Sequence, residues 1–225
     1  MPLRSLGEAG APSWRLRRHR MKFKKIILTI FIIFACYGTV WAGKYLLPKY
    51  LPAKVEAKYR ARSLGNPKAK TWIIEYADFQ CANCREAFKF MEGHLGDHPE
   101  EAYLQFRYYP LIHSHLYALK SAIYADCAAR QGKFWETARK IFEAQEEWGA
   151  AKDPDAILAR LGQEAGLDTR VLGACLEDSE IKSGILKERE EGKALGIKMT
   201  PTFFVNGKKI EGFEAMRVEV KNEKK

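Results

Sequence analysis

The hydrophobic and polar positions divide the chain into a short apolar run and a long patterned body. The run is Ile26-Ile-Leu-Thr-Ile-Phe-Ile-Ile-Phe-Ala-Cys-Tyr-Gly-Thr-Val-Trp-Ala42, uncharged throughout. Its 17 residues sit at the short end of what spans a bilayer as a helix. The body begins after Gly65-Asn-Pro67, a turn signal, with Trp72, Ile73, Ile74 and Tyr76 in near-continuous succession. Such a run predicts a strand covered on both faces. Asp78-Phe-Gln80 turns the chain, and Phe88, Met91 and Leu95 then recur at helical spacing. Ala102–Tyr109 alternates as a second strand, which Pro110 ends. A strand, a helix and a strand in this order predict a parallel pair.

A helical stretch follows from His115 to Leu195. Leu116, Leu119, Ile123 and Cys127 mark one face, and Phe134, Ala138, Ile141 and Phe142 another. Asp153-Pro154 reads as a cap with proline at the first helical position. Asp168 opens a helix with Leu172 and Cys175, and Ile181, Ile185 and Leu195 continue the pattern. Phe203–Val205 and Lys208–Ile210 flank Asn206-Gly207, a favoured hairpin turn. Pro201 precedes this hairpin, where either a cis bond or an ordinary trans strand-edge proline fits. Glu214–Lys225 predicts a short, frayed helix.

Charge changes the picture at the N-terminus. The 225-residue chain carries a net charge of +10. Residues 1–62 hold 14 Lys/Arg and two acids, which leaves 24 basic and 26 acidic residues in 63–225. The basicity therefore belongs to the leading segment and is no sign of a nucleic-acid-binding face. Residues 1–25 form a basic cytoplasmic segment ahead of the apolar run, which is the pattern of a signal peptide or signal anchor. An uncleaved anchor at 26–42 and cleavage after Ala42 are the two outcomes, and the run is long for a signal core. Met21-Lys-Phe-Lys-Lys25 is itself a signal opening, so the start lies at Met1 or Met21. Both readings place the remainder outside the cytoplasm. Pro48, Pro52 and frequent lysines mark 43–62 as a linker, with a short helix near Val55–Arg62, and 63–225 as the folded domain.

The candidate chemistry lies where the first strand gives way to the helix. Cys81-Ala-Asn-Cys84 puts two thiols in the first helical turn. Unpaired N–H groups and the helix dipole favour negative charge there. A cysteine so placed ionises below its free value of about 8.5, and the thiolate is the nucleophile. Cys81, nearest the terminus, is the expected attacking thiol, and Cys84 the one that closes a disulfide. Half a zinc site or a structural disulfide are the other readings. Zinc would need two more ligands, whereas Cys36, Cys127 and Cys175 are solitary and only His113 and His115 resemble a pair. No metal is expected.

Four motifs follow in order: Glu75-Tyr-Ala-Asp-Phe-Gln-Cys-Ala-Asn-Cys84, Cys127-Ala-Ala-Arg-Gln-Gly-Lys-Phe-Trp135, Ala174-Cys-Leu176 and Gly196-Ile-Lys-Met-Thr-Pro-Thr-Phe-Phe-Val-Asn-Gly207. Together they resemble the DsbA-like branch of the thioredoxin superfamily, extracytoplasmic thiol–disulfide oxidoreductases, over residues 63–213. The resemblance implies an α/β thioredoxin fold with a helical insertion, about 112–195, between the second strand and a cis-proline hairpin. It implies Cys81 as nucleophile, Cys84 as resolving thiol and Pro201 as the cis-proline beside them. Glu75 matches an acidic position beneath the active site, and a carboxylate in an apolar strand is costly without a role or a partner. It could also stand at a strand end and reach water. Thr200 would offer its N–H and C=O to an extended substrate. Cys127 and Cys175 fall where a cysteine pair recurs in the family, which implies a structural disulfide; two buried free thiols are the alternative.

The chain departs from the family at Ala82, where proline is frequent, and at Asn83, where the strongest oxidants carry histidine. Neither residue adds charge. Arg85 either supports the thiolate or is a solvated helix residue. The expected function is dithiol oxidation of exported cysteine-containing proteins, with a membrane redox partner resetting the Cys81–Cys84 pair and no other cofactor. A membrane-tethered reductase or isomerase, as in cytochrome maturation, uses the same parts. A non-catalytic peptide-binding module is a third reading. Cys36, His113, His115, Phe134 and Trp135 read as ordinary structural or solvated residues.

Overall fold

The computed structural model describes residues 57–223, and the apolar run at 72–76 lies at the centre of a five-stranded sheet. The signal or anchor segment, Cys36 and most of the linker lie outside the described residues. A 3-10 helix, Ala57–Arg62, leads into β1, Ser63–Gly65. There follow β2 (Thr71–Ala77), α1 (Ala82–Asp97) and β3 (Ala102–Tyr108). Six helices come next: α2 (Ala118–Arg130), α3 (Phe134–Glu143), α4 (Gln145–Gly149), α5 (Asp155–Glu164), α6 (Thr169–Leu176) and α7 (Ser179–Ala194). The hairpin β4 (Thr202–Val205) and β5 (Lys208–Glu211) and then α8 (Phe213–Glu223) complete the body. Strand order is β1-β3-β2-β4-β5. β2 and β3 are parallel, and the other neighbours are antiparallel. This is the expected α/β thioredoxin fold, with the helices α2–α7 inserted ahead of the hairpin.

Local signals account for most elements. Asn206 and Gly207 both adopt positive φ, 48° and 86°, as a tight hairpin turn between right-twisted strands requires. Asp168 caps α6 by accepting from the N–H groups of Arg170 and Val171. Asp153 accepts from the N–H of Asp155, so α5 starts one residue beyond the position that the Asp-Pro signal indicates.

The structure corrects four sequence expectations. β3 is buried along almost its whole length rather than alternately, because helices cover both faces of the sheet. Leu116 does not share the buried face of α2; it precedes the helix and is 80% exposed. The stripe that packs is one of small residues, Ala118, Ala122, Ala125 and Ala128, which let α3, α6 and α7 approach closely. Leu195 lies past the end of α7 and is exposed.

The fourth correction concerns residues 57–62. They end the expected linker, yet Tyr59 and Arg62 are buried. Arg62 reaches Glu188 on α7 with both guanidinium arms, one at 3.0 Å, and stacks over the Tyr108 ring. Glu188 also accepts from the Tyr108 N–H at 3.0 Å. A buried charge is tolerable when it is paired and hydrogen-bonded in this way. β1 is short, and Trp135 helps to hold it by donating from its indole to the Ser63 carbonyl (3.1 Å). Gly65 closes it at φ 87°, where a Cβ would fall 2.2 Å from the Ala102 carbonyl oxygen.

The insertion is joined to the sheet by aromatic rings. Phe79 packs on Phe142 and Phe106, and Phe88 on Phe142 and Trp135, with ring centres 4.7–5.5 Å apart. Such pairs contribute about 0.5–1.5 kcal/mol each beyond their burial. Phe79 lies in the turn between β2 and α1, so this cluster backs the cysteine pair.

Candidate functional site: a cysteine pair at a helix start

β2 delivers the chain to the turn 78–80, and α1 carries it away. Cys81 is the N-cap of α1, with extended φ and ψ of −83° and 120°. Its carbonyl accepts from the N–H groups of Cys84 (3.1 Å) and Arg85 (3.2 Å). Its side chain makes no capping hydrogen bond, so the sulfur is left for other work. Cys81 is partly exposed and Cys84 fully buried, both as free thiols. The Cys81 thiol donates to the Thr200 carbonyl at 3.4 Å, across a sequence gap of 119 residues. The Thr200–Pro201 bond is cis. From the insertion, buried Gln145 donates to the carbonyls of Phe79 (2.7 Å) and Cys81 (3.1 Å) and so fixes the turn.

The two sulfurs are driven apart in acidity. A hydrogen bond from the Cys84 thiol is the main cause that lowers Cys81, to about 6. Burial opposes it, while Thr200 and the Cys84 backbone N–H assist. Thr200 acts in two ways. Its carbonyl accepts the thiol proton, whereas its hydroxyl, buried without another partner, can donate to the thiolate. Cys84 is held well above the usual thiol range, first by burial, then by the bond to Cys81 and the charge there. A low, accessible thiol beside a high, buried one is the pattern of an attacking and a resolving sulfur.

Glu75 does not reach water. It is fully buried in the middle of β2, paired across the sheet with Phe106 and Phe203, and neither carboxylate oxygen has a hydrogen-bond partner. Burial, and then the Cys81 charge, raise it to about 8. The raised folded value means that the neutral acid is the form the fold accepts. Stability from this group is therefore full below pH about 4.5 and is lost as pH rises through about 8. Glu75→Gln should flatten that decline, so that the variant resists urea better than wild type at pH 9. Urea midpoints measured from pH 4 to 9 check this; parallel curves for the two proteins would contradict it.

The structure brings Glu75, Cys81, Cys84, Thr200 and Pro201 to one place. It sets Cys127 and Cys175 apart, in the insertion, joined by a disulfide with Cα atoms 5.8 Å apart. Arg85 pairs with Glu86 and Glu146 rather than with the sulfur. Sequence reasoning missed Asp78, Gln145 and His115. Asp78 carried a signal, as a charged residue ending an apolar strand. His115 is not merely solvated: its Nδ1 lies 2.9 Å from a buried Asp78 oxygen. Among the described residues no group of His, Cys, Asp and Glu could hold a metal.

A helix-start cysteine pair, a cis-prolyl bond beside it and a helical insertion on a thioredoxin sheet define a dithiol protein of the thioredoxin class. Comparison with known proteins agrees. A thioredoxin family model matches residues 58–221. A thioredoxin-like oxidoreductase from Silicibacter pomeroyi DSS-3 superposes with a TM-score of 0.58 at 25% identity, covering 72% of this chain and 91% of that one. Wolbachia pipientis alpha-DsbA1 gives 0.60 at 22%, covering 71% and 87%, and Bacillus subtilis BdbD 0.58 at 19%, covering 72% and 91%. In sequence, a Na(+)/H(+) antiporter NhaA 1 of Mycolicibacterium gilvum is 30% identical over 155 residues, 66% of this chain and 24% of the antiporter. The chain thus spans about a quarter of the length of the curated relatives it matches. This protein belongs to the thioredoxin family, and its fold is the DsbA-like form.

Proposed function

We propose that the chain is an extracytoplasmic thiol–disulfide oxidoreductase in which Cys81 and Cys84 form the redox pair and oxidise dithiols of exported proteins. Fold and family carry the coarser statement, a protein disulfide oxidoreductase. The observation that carries the finer one is the asymmetry of the two sulfurs, Cys81 lowered and accessible, Cys84 raised and buried. In the oxidised protein a substrate thiolate attacks the Cys81 sulfur. The Cys81–Cys84 bond breaks, a mixed disulfide forms on Cys81, and Cys84 leaves with the electron pair. A proton then reaches Cys84, and Glu75, neutral and beneath it, is the group placed to supply one. The second substrate thiolate attacks its partner sulfur in the mixed disulfide and expels Cys81 as a thiolate. Two electrons have passed from the substrate to the pair, and a membrane redox partner removes them.

The lowered pKa of Cys81 stabilises the reduced form and so favours oxidation of the substrate. The uncharged Ala82-Asn83 dipeptide favours a milder pair, which supports the reductase or isomerase reading as the second. Sodium–proton exchange belongs to the longer relatives. No helix among the described residues is long and apolar enough to cross a membrane. Equilibration of the pair in glutathione buffers decides the direction. A potential towards the roughly −120 mV of DsbA is expected, and one near the roughly −270 mV of thioredoxin would turn the assignment to a reductase.

A further inference from the structure

We propose that His115 is a positioning residue for the redox pair, which acts through Asp78 by holding the active-site turn and offsetting the buried carboxylate beside the two sulfurs. This rests on the oxidoreductase reading above. The Asp78 side chain is fully buried directly ahead of the cysteine pair. One oxygen accepts from the Gln80 N–H at 2.7 Å, and the other from the Leu111 N–H at 2.7 Å and the His115 ring at 2.9 Å. With the carboxylate ionised, the ring nitrogen is the donor. The Asp78 backbone is part of the same turn. Its carbonyl accepts from the Cys81 N–H (3.1 Å), and its N–H points at the Cys84 sulfur (3.5 Å). A negative charge so close opposes a thiolate, and Asp78 does act against ionisation of Cys81.

The loop 111–117 supplies the counterweight. His115 is 26% exposed, so its ring joins the buried carboxylate to solvent. Gln80 ties the same loop down by accepting from the Tyr117 N–H at 2.8 Å. The titratable groups around the pair are Cys81, Cys84 and Glu75 on the sulfur side. On the loop side are His113 and Arg189, which donates to the Pro110 carbonyl at 3.1 Å. The residues between the cysteines carry no charge, and this histidine, 31 positions beyond Cys84 in the chain, reaches the site through Asp78.

The test compares full-length wild type with His115→Ala and Asp78→Asn. It follows Cys81 by thiolate absorbance against pH, and the pair by equilibrium with glutathione. His115→Ala should raise the apparent Cys81 pKa by about half a unit, a roughly threefold loss in the thiolate-to-thiol ratio. The pair should become less oxidising by a similar factor. Asp78→Asn removes the opposing charge and should move both quantities the other way. A purely structural role would loosen the turn in both variants and shift them together. Same-direction shifts, or no shift in a folded His115→Ala protein, would overturn the proposal. If alanine unfolds the chain, His115→Ser, too short to reach the carboxylate, gives the same reading. These readouts are on the sulfurs themselves. Absence of substrate turnover by wild type would therefore defeat the oxidoreductase reading without deciding this one.

Discussion

Cys81→Ser should abolish thiol–disulfide exchange, lowering the rate with a reduced, unfolded substrate protein by at least about a thousandfold. Serine keeps the shape of the helix start but supplies no thiolate, and Cys84 is fully buried and cannot replace it. Cys84→Ser should behave differently. Given a substrate that itself carries a disulfide, the Cys81 thiolate still attacks one of its sulfurs, expels the other as a thiolate and forms a mixed disulfide. No Cys84 is there to resolve it, so the covalent complex accumulates and is visible on a non-reducing gel. Alkylation of the reduced wild-type protein should follow a titration near the lowered Cys81 value of about 6. A midpoint at the free-cysteine value of about 8.5 would remove the electrostatic basis of the mechanism. Retention of biological function by a protein lacking both cysteines would favour the peptide-binding reading instead.

The second large effect concerns stability. Cys127 lies inside α2 and Cys175 near the end of α6, and their bond closes a loop of 48 residues. In the chain-entropy model a crosslink of that span stabilises the fold by about 4 kcal/mol, and measured losses run at about 2–5 kcal/mol. The double variant Cys127→Ala/Cys175→Ala should therefore melt about 10 °C lower, judged by the slope of Tm on stability for chains of this size. Its Cys81–Cys84 potential should stay at the wild-type value, since neither sulfur of the second bond stands at a helix start. Calorimetry with glutathione titration on the same sample separates the two. An unchanged Tm would show that this bridge adds nothing to the fold.

What the sequence revealed follows the range of the interactions. β2, α1 and the hairpin were legible because apolar spacing and Asn206-Gly207 act within a few residues. The Cys81-Ala-Asn-Cys84 site was legible for the same reason, as its chemistry depends on a local strand-to-helix join. β1 was not, because three residues carry no period and their partner is β3, reached only after α1. Tyr59 and Arg62 were not either: Arg62 is fixed by Glu188, 126 residues away, and a lysine- and proline-rich neighbourhood disguised it as linker. His115 failed as a reading on similar grounds. A histidine two residues after another in a loop looks solvated until the fold brings Asp78 to it. On α2 the pattern was present but ambiguous, since apolar residues lie on two stripes and packing chose the one with small side chains.

The outer strands of the sheet bear on life among unfolded neighbours. On the proposed function the clients would arrive as extended chains with unpaired backbone groups, which add readily to any open sheet edge. β1 is only three residues long and ends at Gly65, so it offers little to add to. At the other edge β5 presents Lys208 and Lys209 outward, each paired with a glutamate, and buries only Ile210. Charged lysines on an edge discourage intermolecular pairing. Under the function proposed above, both borders are closed to a client strand and the backbone at Thr200, next to Cys81, is left to receive it, so the catalyst would not become a template for aggregates of its own substrates.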